Sequence, residues 1–348
     1  MKKTTMNLAD GRELIYYDLD DGTDRRALDQ RPLEPVQSRP ELRLDRATGD
    51  WVAVAPHRQG RIHHPPSDAC PLCPSRGGHH SEIPAADYEV AVFENRFPSL
   101  ARPTGRCEVM CYTPDHHAGF TDLADNRARL VLDAWTDRTD WLSSLPGIEQ
   151  VYCFENRGAE IGVTLAHPHG QIYAFPFMPP RTAKMVAVAD AHRAATGGNL
   201  FEDLLAEARA ADSRVVMAGR YWTAFVPFAA RWPYEVHVYP HRRVLDLTRL
   251  SEAERAEFPG MYVELLRRFD RLFHSQGASV PVPTPYISAW HQAPKTGGQE
   301  LALHLELFTP RRSAGKLKFL AGAESGMESF VNDLVPEAAA QRLREVAS

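Results

Sequence analysis

Cysteine is scarce in this chain, with five residues among 348, an odd number and too few for a disulfide scaffold. No uninterrupted apolar run approaches the ~20 residues that a membrane-spanning helix needs. The Met-Lys-Lys start stays mostly polar through Asp24, without the apolar stretch of a secretory leader. Basic charge is not in excess either. The formal net charge is −5, which argues against broad binding to DNA or RNA, because phosphate neutralisation needs a basic face. A local basic pocket for one phosphorylated small molecule is compatible with that balance. The expectation is a cytoplasmic chain with no membrane and no nucleic-acid partner. In a reducing compartment a close cysteine pair points to a metal rather than a crosslink.

What remains is ordinary globular material, 43% hydrophobic and 24% charged. At ~100–200 residues per domain the length favours two domains. Residues 1–40 read as a polar, loosely held arm, 41–180 as an N-terminal domain and 181–348 as a C-terminal domain, with Pro176, Pro179 and Pro180 marking the break. Alternation predicts strands at Trp51–Ala55, Tyr88–Phe93, Cys107–Tyr112, Gln150–Phe154 and Gly170–Phe175. Leu130, Ala134, Trp135 and Leu142 have helical spacing within 124–145. In the second half, 182–209 and 253–273 read as helical. Strands are predicted at Val215–Met217, Trp222–Val226, Glu235–Tyr239, Tyr286–Trp290 and Leu301–Phe308.

The halves share phrases in the same order. Arg96-Phe97-Pro98 precedes Glu108-Val109-Met110-Cys111-Tyr112, and Arg231-Trp232-Pro233 precedes Glu235-Val236-His237-Val238-Tyr239. The first half closes on His167-Pro168-His169-Gly170-Gln171-Ile172 and the second on His304-Leu305-Glu306-Leu307-Phe308. This order implies an internal duplication.

The strongest local signal is His167-Pro168-His169-Gly170-Gln171. On a strand, residues 167, 169 and 171 share one face. Neutral imidazole is a competent nucleophile near neutral pH, since its pKa is ~6.5. Attack on phosphorus gives a phosphoramidate that can hand the group on, and the Gln171 amide can donate to developing phosphoryl charge. Cys70-Pro71-Leu72-Cys73 presents two thiols to one tetrahedral zinc. No second cysteine pair follows, so the remaining ligands should be histidines, with His116 and His167 as the candidates. A thioredoxin-like redox pair is the competing reading, but it should open a helix after a strand, and this motif sits in a Pro-rich loop. Arg58 and Arg61, three apart, can clamp a diphosphate with planar forks. Asn95, in Phe93-Glu94-Asn95-Arg96-Phe97-Pro98, can place an amide against a ribose or base.

These phrases resemble the galactose-1-phosphate uridylyltransferase family of the histidine-triad superfamily. The resemblance rests on His167–Ile172, on Phe154-Glu155-Asn156-Arg157-Gly158, on Trp232-Pro233-Tyr234-Glu235, on Trp290-His291 with Ala293-Pro294, and on Lys318-Phe319. It runs from about Leu42 to about Leu343. It implies an α+β fold of two histidine-triad-like domains, each a mostly antiparallel sheet with flanking helices. It implies a homodimer and a ping-pong exchange between UDP-glucose and galactose 1-phosphate, with His169 as nucleophile and Gln171 on the uridylyl phosphate. Asn95, Asn156 and Thr164 would lie along the nucleotide, and Arg58 and Arg61 would reach a phosphate from the partner subunit. Lys318, Phe319 and Glu324 would lie near the hexose phosphate. Cys70, Cys73, His116 and His167 would hold a structural zinc beside the nucleophile.

Three departures from the family pattern stand out. Some members carry a second metal on a glutamate and three histidines. Here the glutamate position is Met185 and the third histidine position is Glu306, so a site of His291, His304 and Glu306 is expected to be empty or weak. An Asn-Asp pair is Asn95-Arg96, and an aromatic before the C-terminal glutamate is Ala323. A related nucleotidyltransferase or sugar-nucleotide phosphorylase with another base or sugar is the alternative.

Overall fold

The structure is a computed structural model that describes residues 1–35, 40–61, 64–274 and 283–348. It divides into two units. Unit 1 comprises Met1–Cys153, Thr164–Met185 and Ala293–Gly298, and unit 2 comprises Phe154–Val163, Val186–Gln292 and Gln299–Ser348. Besides the changeover at Met185/Val186, residues 154–163 belong to unit 2 and residues 293–298 to unit 1. Residues 154–157 pair with Tyr286–Ala289 of unit 2, while Lys295 donates its backbone N–H to Glu149 O in unit 1 at 2.7 Å.

The strands of unit 1 are β1 (Lys2–Asn7), β2 (Glu13–Asp18), β3 (Glu41–Leu44), β4 (Trp51–Val54), β5 (Val90–Glu94), β6 (Arg106–Cys111), β7 (Gln150–Arg157) and β8 (His169–Phe175), and its helix is α1 (Asp125–Ser144). Residues 150–153 of β7 belong to it. The main sheet runs β1-β2-β5-β6-β8-β7, while β3 and β4 form a separate hairpin. α1 buries Leu130, Val131, Ala134, Trp135 and Leu142, the apolar stripe its spacing predicts. Arg138 on α1 forks onto Glu108 of β6 at 2.8 and 2.9 Å.

The N-terminal stretch is not a loose arm. Leu14, Ile15, Tyr16 and Tyr17 are at most 1% exposed, because β2 lies between β1 and β5 and is covered on both faces. Gly11, at φ 84°, makes the reverse turn between β1 and β2. Arg12 reaches Asp10 at 2.8 Å and Glu82 at 2.5 Å, and Arg31 reaches Asp29 at 2.8 Å and Glu82 at 2.9 Å. These buried pairs hold the segment onto the loop that carries Cys70 and Cys73.

Unit 2 contains α2 (Pro180–Thr196) from Val186 onward, α3 (Leu200–Ala211), β9 (Val215–Ala218), β10 (Trp222–Phe225), β11 (Val236–Pro240), α4 (Glu252–Arg271), β12 (Tyr286–His291), β13 (His304–Phe308), β14 (Arg311–Ser313), β15 (Lys316–Leu317), α5 (Gly322–Met327) and α6 (Pro336–Glu345). Its sheet order is β12-β13-β11-β10-β9. Asn199 caps α3 by accepting from the N–H groups of Phe201 and Glu202. A Ser251–Glu254 capping box starts α4, which buries Phe258, Met261, Tyr262, Leu265, Leu266 and Phe269.

The duplication is visible in the topology. Chain order β5, β6, α1, β7, β8 gives spatial order β5-β6-β8-β7, and chain order β10, β11, α4, β12, β13 gives β10-β11-β13-β12. His169 opens β8 as His304 opens β13. The class is α+β with mostly antiparallel pairing, as the sequence implies.

Candidate functional site

β8 alternates between half-buried residues at 169, 171, 173 and 175 and buried ones at 170, 172 and 174. Period-two geometry puts His169, Gln171 and Tyr173 on one face. His167 does not join that wall. The strand begins at His169, and His167 lies in the bend before it, 1% exposed.

The bend gives each histidine its own task. Nδ1 of His169 lies 2.7 Å from the carbonyl oxygen of His167. A carbonyl only accepts, so Nδ1 carries the proton and Nε2 keeps its lone pair. Burial lowers the His169 pKa, against the opposing pull of that hydrogen bond, so the ring is neutral near pH 7. The His167 ring turns into a cluster with Cys70, Cys73 and His116, whose ligand atoms all lie within 4.8 Å of one another.

Local structure makes this cluster fit zinc. Cys73 Sγ is 3.3 Å from His116 Nδ1 and 3.5 Å from His167 Nδ1. Nε2 of His167 lies 2.8 Å from the Thr113 carbonyl oxygen and 2.9 Å from the Tyr88 hydroxyl. Nε2–H therefore donates outward and Nδ1 is left as the ligand atom. The Leu72 N–H points at Cys70 Sγ at 3.5 Å, a contact that stabilises a thiolate. Without a cation, burial and the neighbouring Cys70 push the Cys73 thiol up to about 12. Burial is also the main force holding His167 down to about 4. Two crowded thiols and two neutral imidazoles are a donor set that a divalent soft ion turns into thiolate and imidazole ligands. The sequence picks out these four residues; Tyr88 and Thr113, which orient His167, carry no local signal.

Arg58 donates to Phe97 O at 3.0 Å, and His57 Nε2 lies 2.8 Å from Pro98 O. Both contacts dock the arginine loop in unit 1, with Arg58 within hydrogen-bonding reach of Tyr173. Arg61 Nε donates to Arg58 O at 3.1 Å. In the single chain, then, Arg58 and Arg61 are tied to their own unit, close enough to Tyr173 of β8 to interact with it electrostatically. Asn95 lines a cleft of about 220 Å³ with Arg12, Glu94, Arg102 and Arg106, and its Oδ1 accepts from Phe97 N–H at 2.8 Å. The Thr164 carbonyl accepts from His64 N–H at 2.8 Å on the approach to His167.

Unit 2 holds the other predicted residues. Asn156 lies on β7 opposite Ile287. Lys318 is buried, bound to the Glu324 carboxylate and the Val331 carbonyl, with its ammonium 5.7 Å from the centre of the Trp232 ring. Phe319 is 73% exposed. His304 and Glu306 meet as expected, but with His237 rather than His291 as the third member of a possible metal group. No described helix is long and apolar enough to cross a membrane.

Known proteins resemble this chain over most of its length. The family described as "Galactose-1-phosphate uridyl transferase, N-terminal domain" matches residues 100–179, and its C-terminal domain matches 186–348. A galactose-1-phosphate uridylyltransferase of Streptomyces lividans is 56% identical, covering 100% of this chain and 98% of that protein. One of Thermotoga maritima is 35% identical, over 88% of this chain and 98% of that protein. A solved structure of a uridylyltransferase superposes with a TM-score of 0.77 at 31% identity, covering 88% of this chain and 98% of the other.

Proposed function

Because this chain belongs to the galactose-1-phosphate uridylyltransferase family, we propose that it transfers UMP from UDP-glucose to galactose 1-phosphate through a covalent uridylyl group on His169. The observation that carries this reading is the tautomer of His169, with its proton on Nδ1 and the lone pair on Nε2. Its Nδ1–H is committed to His167 O at 2.7 Å, and the ring stands on the half-buried face of β8 beside Gln171. Nε2 attacks the α-phosphorus of UDP-glucose. A P–N bond forms as the bond to the bridging oxygen breaks, and glucose 1-phosphate leaves. A phosphate oxygen of galactose 1-phosphate then attacks the same phosphorus, the P–N bond breaks, and UDP-galactose departs.

The chain's own residues position and neutralise. The Gln171 amide donates to the phosphoryl oxygen as charge builds, and Arg58 and Arg61 supply fixed positive charge near that face. By the family resemblance, Asn95, Asn156 and Thr164 serve the nucleotide, and Lys318, Phe319 and Glu324 the hexose phosphate. Cys70, Cys73, His116 and His167 would hold a zinc ion, which would supply no reactive group and would brace the bend whose carbonyl sets the His169 tautomer. A homodimer is part of the same reading, and sedimentation tests it.

The deciding experiment is intact-protein mass spectrometry after mixing with UDP-glucose, alongside His169→Ala. The reading requires a UMP-sized mass gain, absent in the variant and discharged by galactose 1-phosphate. A gain with ADP-glucose but not UDP-glucose keeps the mechanism and replaces the base. No adduct with either donor removes the covalent mechanism.

A further inference from the structure

The arginine loop of unit 1 is fastened to the chain that carries it. Pro56–Gly60 forms a short 3₁₀ turn directly after β4. His57 Nε2 meets Pro98 O at 2.8 Å, and half-buried Arg58 donates to Phe97 O at 3.0 Å. Both acceptors are backbone carbonyls of the loop between β5 and β6. Arg61 is held differently. Only its Nε is turned back, onto Arg58 O at 3.1 Å, and the side chain is exposed.

Arg58 is also the neighbour that decides how Tyr173 bonds. The Tyr173 oxygen lies within hydrogen-bonding reach of Arg58 and of the Ser99 hydroxyl, and its O–H reaches Gln171 Oε1 at 3.3 Å. Ser99 itself stands 3.6 Å from Cys107 Sγ, and Cys107 lies opposite Tyr173 in the pairing of β6 with β8. A guanidinium has donors only, so Arg58 takes the lone-pair side of the phenol and the phenolic proton goes to Gln171. That orients the amide. Gln171 turns Oε1 to Tyr173 and its NH₂ group to the rest of the β8 face. Without a donor on the lone-pair side of Tyr173, the amide is free to turn over and donate to the phenol instead. Its Oε1 would then face a phosphoryl oxygen, acceptor against acceptor.

We propose that Arg58 is a positioning residue of its own chain, acting through Tyr173 on the Gln171 amide, and that Arg61 is the arginine of the pair left to meet phosphate. That role rests on the covalent reading of His169. The family resemblance sends both arginines to a phosphate from the partner subunit. Here Arg58 is spent on Phe97 O and on Tyr173 of the chain that holds it. The contacts run in one line, from Phe97 O through Arg58 and Tyr173 to Gln171 and the phosphoryl oxygen. A planar fork spans a carbonyl and a phenol in fixed geometry, which the point charge of a lysine does not reproduce.

Single-turnover adduct formation with UDP-glucose, read by intact-protein mass spectrometry on wild type, Arg58→Met, Tyr173→Phe and the double variant, tests it. Arg58→Met should slow the step roughly 2- to 10-fold, the worth of one hydrogen bond. The double variant should be no slower than the slower single, because both changes break one line of contacts. Half-saturation by UDP-glucose should move less in Arg58→Met than in Arg61→Met, and Arg58→Lys should stay as slow as Arg58→Met. Losses that multiply in the double variant, or rescue by lysine, would make Arg58 a direct phosphate ligand and overturn the proposal. Co-expression of Arg58→Met with His169→Ala separates the chain's own arginine from a partner's. The Arg58→Met chain should keep its slow rate, and a phase at the wild-type rate would overturn the proposal. The contact is also read without any reaction. In the ¹⁵N–¹H spectrum of Tyr173→Phe, the side-chain signals of Arg58 and Gln171 should both shift, and an unmoved Arg58 signal would break the line. That spectrum decides should Arg58→Met fail to fold by circular dichroism. It also decides should wild type form no adduct, an outcome that removes the His169 reading and leaves the Arg58–Tyr173 contact to be judged on its own.

Discussion

The hydroxyl of Tyr173 lies 3.3 Å from Oε1 of Gln171, two residues away on the same face of β8. A phenol donates to the oxygen of an amide, so this contact commits Oε1 and leaves the NH₂ group of Gln171 to point elsewhere on the His169 face. Arg58 lies within reach of the same hydroxyl. Tyr173 therefore fixes which end of the amide a phosphoryl oxygen meets.

Replacing Tyr173 by Phe should keep the ring and release the amide. A net hydrogen bond of about 0.5–1.5 kcal/mol predicts a roughly 2- to 10-fold slower uridylylation of His169. The Michaelis constant for UDP-glucose should move less, because the donation strengthens as phosphoryl charge develops. Single-turnover adduct formation followed by mass spectrometry measures this. An unchanged rate in the folded variant would show that Gln171 is oriented by something else.

Zinc in unit 1 should act on order rather than on chemistry. Stripping the metal, or Cys73→Ser, should lower the melting temperature by about 5–10 °C and slow adduct formation without abolishing it. His169 is not among the ligands of the ion, and its Nδ1–H is held by a backbone carbonyl rather than by the metal. Calorimetry and the adduct assay on the same sample check both halves. Complete loss of the adduct in a folded, zinc-free chain would assign the metal a direct part in the reaction.

Arg12 tests the N-terminal segment. Its guanidinium is 4% exposed and bonds Asp10, Glu82 and the Glu94 carbonyl. Arg12→Met leaves two buried carboxylates short of a partner, which should destabilise the chain by about 3–5 kcal/mol. Urea denaturation reads this directly. A loss below ~1 kcal/mol, the range of an exposed surface pair, would mean that the segment is loosely held.

Local patterns are legible in the sequence wherever the signal and the structure have the same range. β8 and the Cys70–Cys73 turn are short motifs whose residue types carry their own chemistry, and α1 shows its stripe in its own spacing. β2 is missed because Leu14–Tyr17 is a brief apolar run between polar flanks, and its burial comes from β5, far along the chain. His167 is misplaced by one feature, the strand starting at His169 rather than before it. His237 carries no local signal, since its neighbours Glu306 and His304 lie on β13 and meet it only through pairing register. Tyr88 and Thr113 are overlooked for the same reason.

Glu155 on β7 gives a prediction with a definite pH sign. Burial raises its pKa to about 7 from an ordinary 4.5, with Arg157 opposing and Asp270 adding to the rise. Between those values the folded chain holds a proton that the unfolded chain has released. The folded state then binds more protons, so stability falls as pH rises through this window. It is highest below about pH 4.5 as far as this group is concerned, and the full loss is reached above about pH 7. A shift of this size corresponds to ~3 kcal/mol. Glu155→Gln is neutral at every pH and keeps an amide where the carboxyl lies beside Tyr286. Relative to wild type, the variant should gain about 2–3 kcal/mol at pH 8 and almost nothing at pH 4.5. Urea denaturation of both chains at the two pH values measures the difference. An equal effect at both values would show that Glu155 does not titrate in the window, and a variant weaker at pH 8 would show that its carboxylate is paired well enough to stabilise the fold.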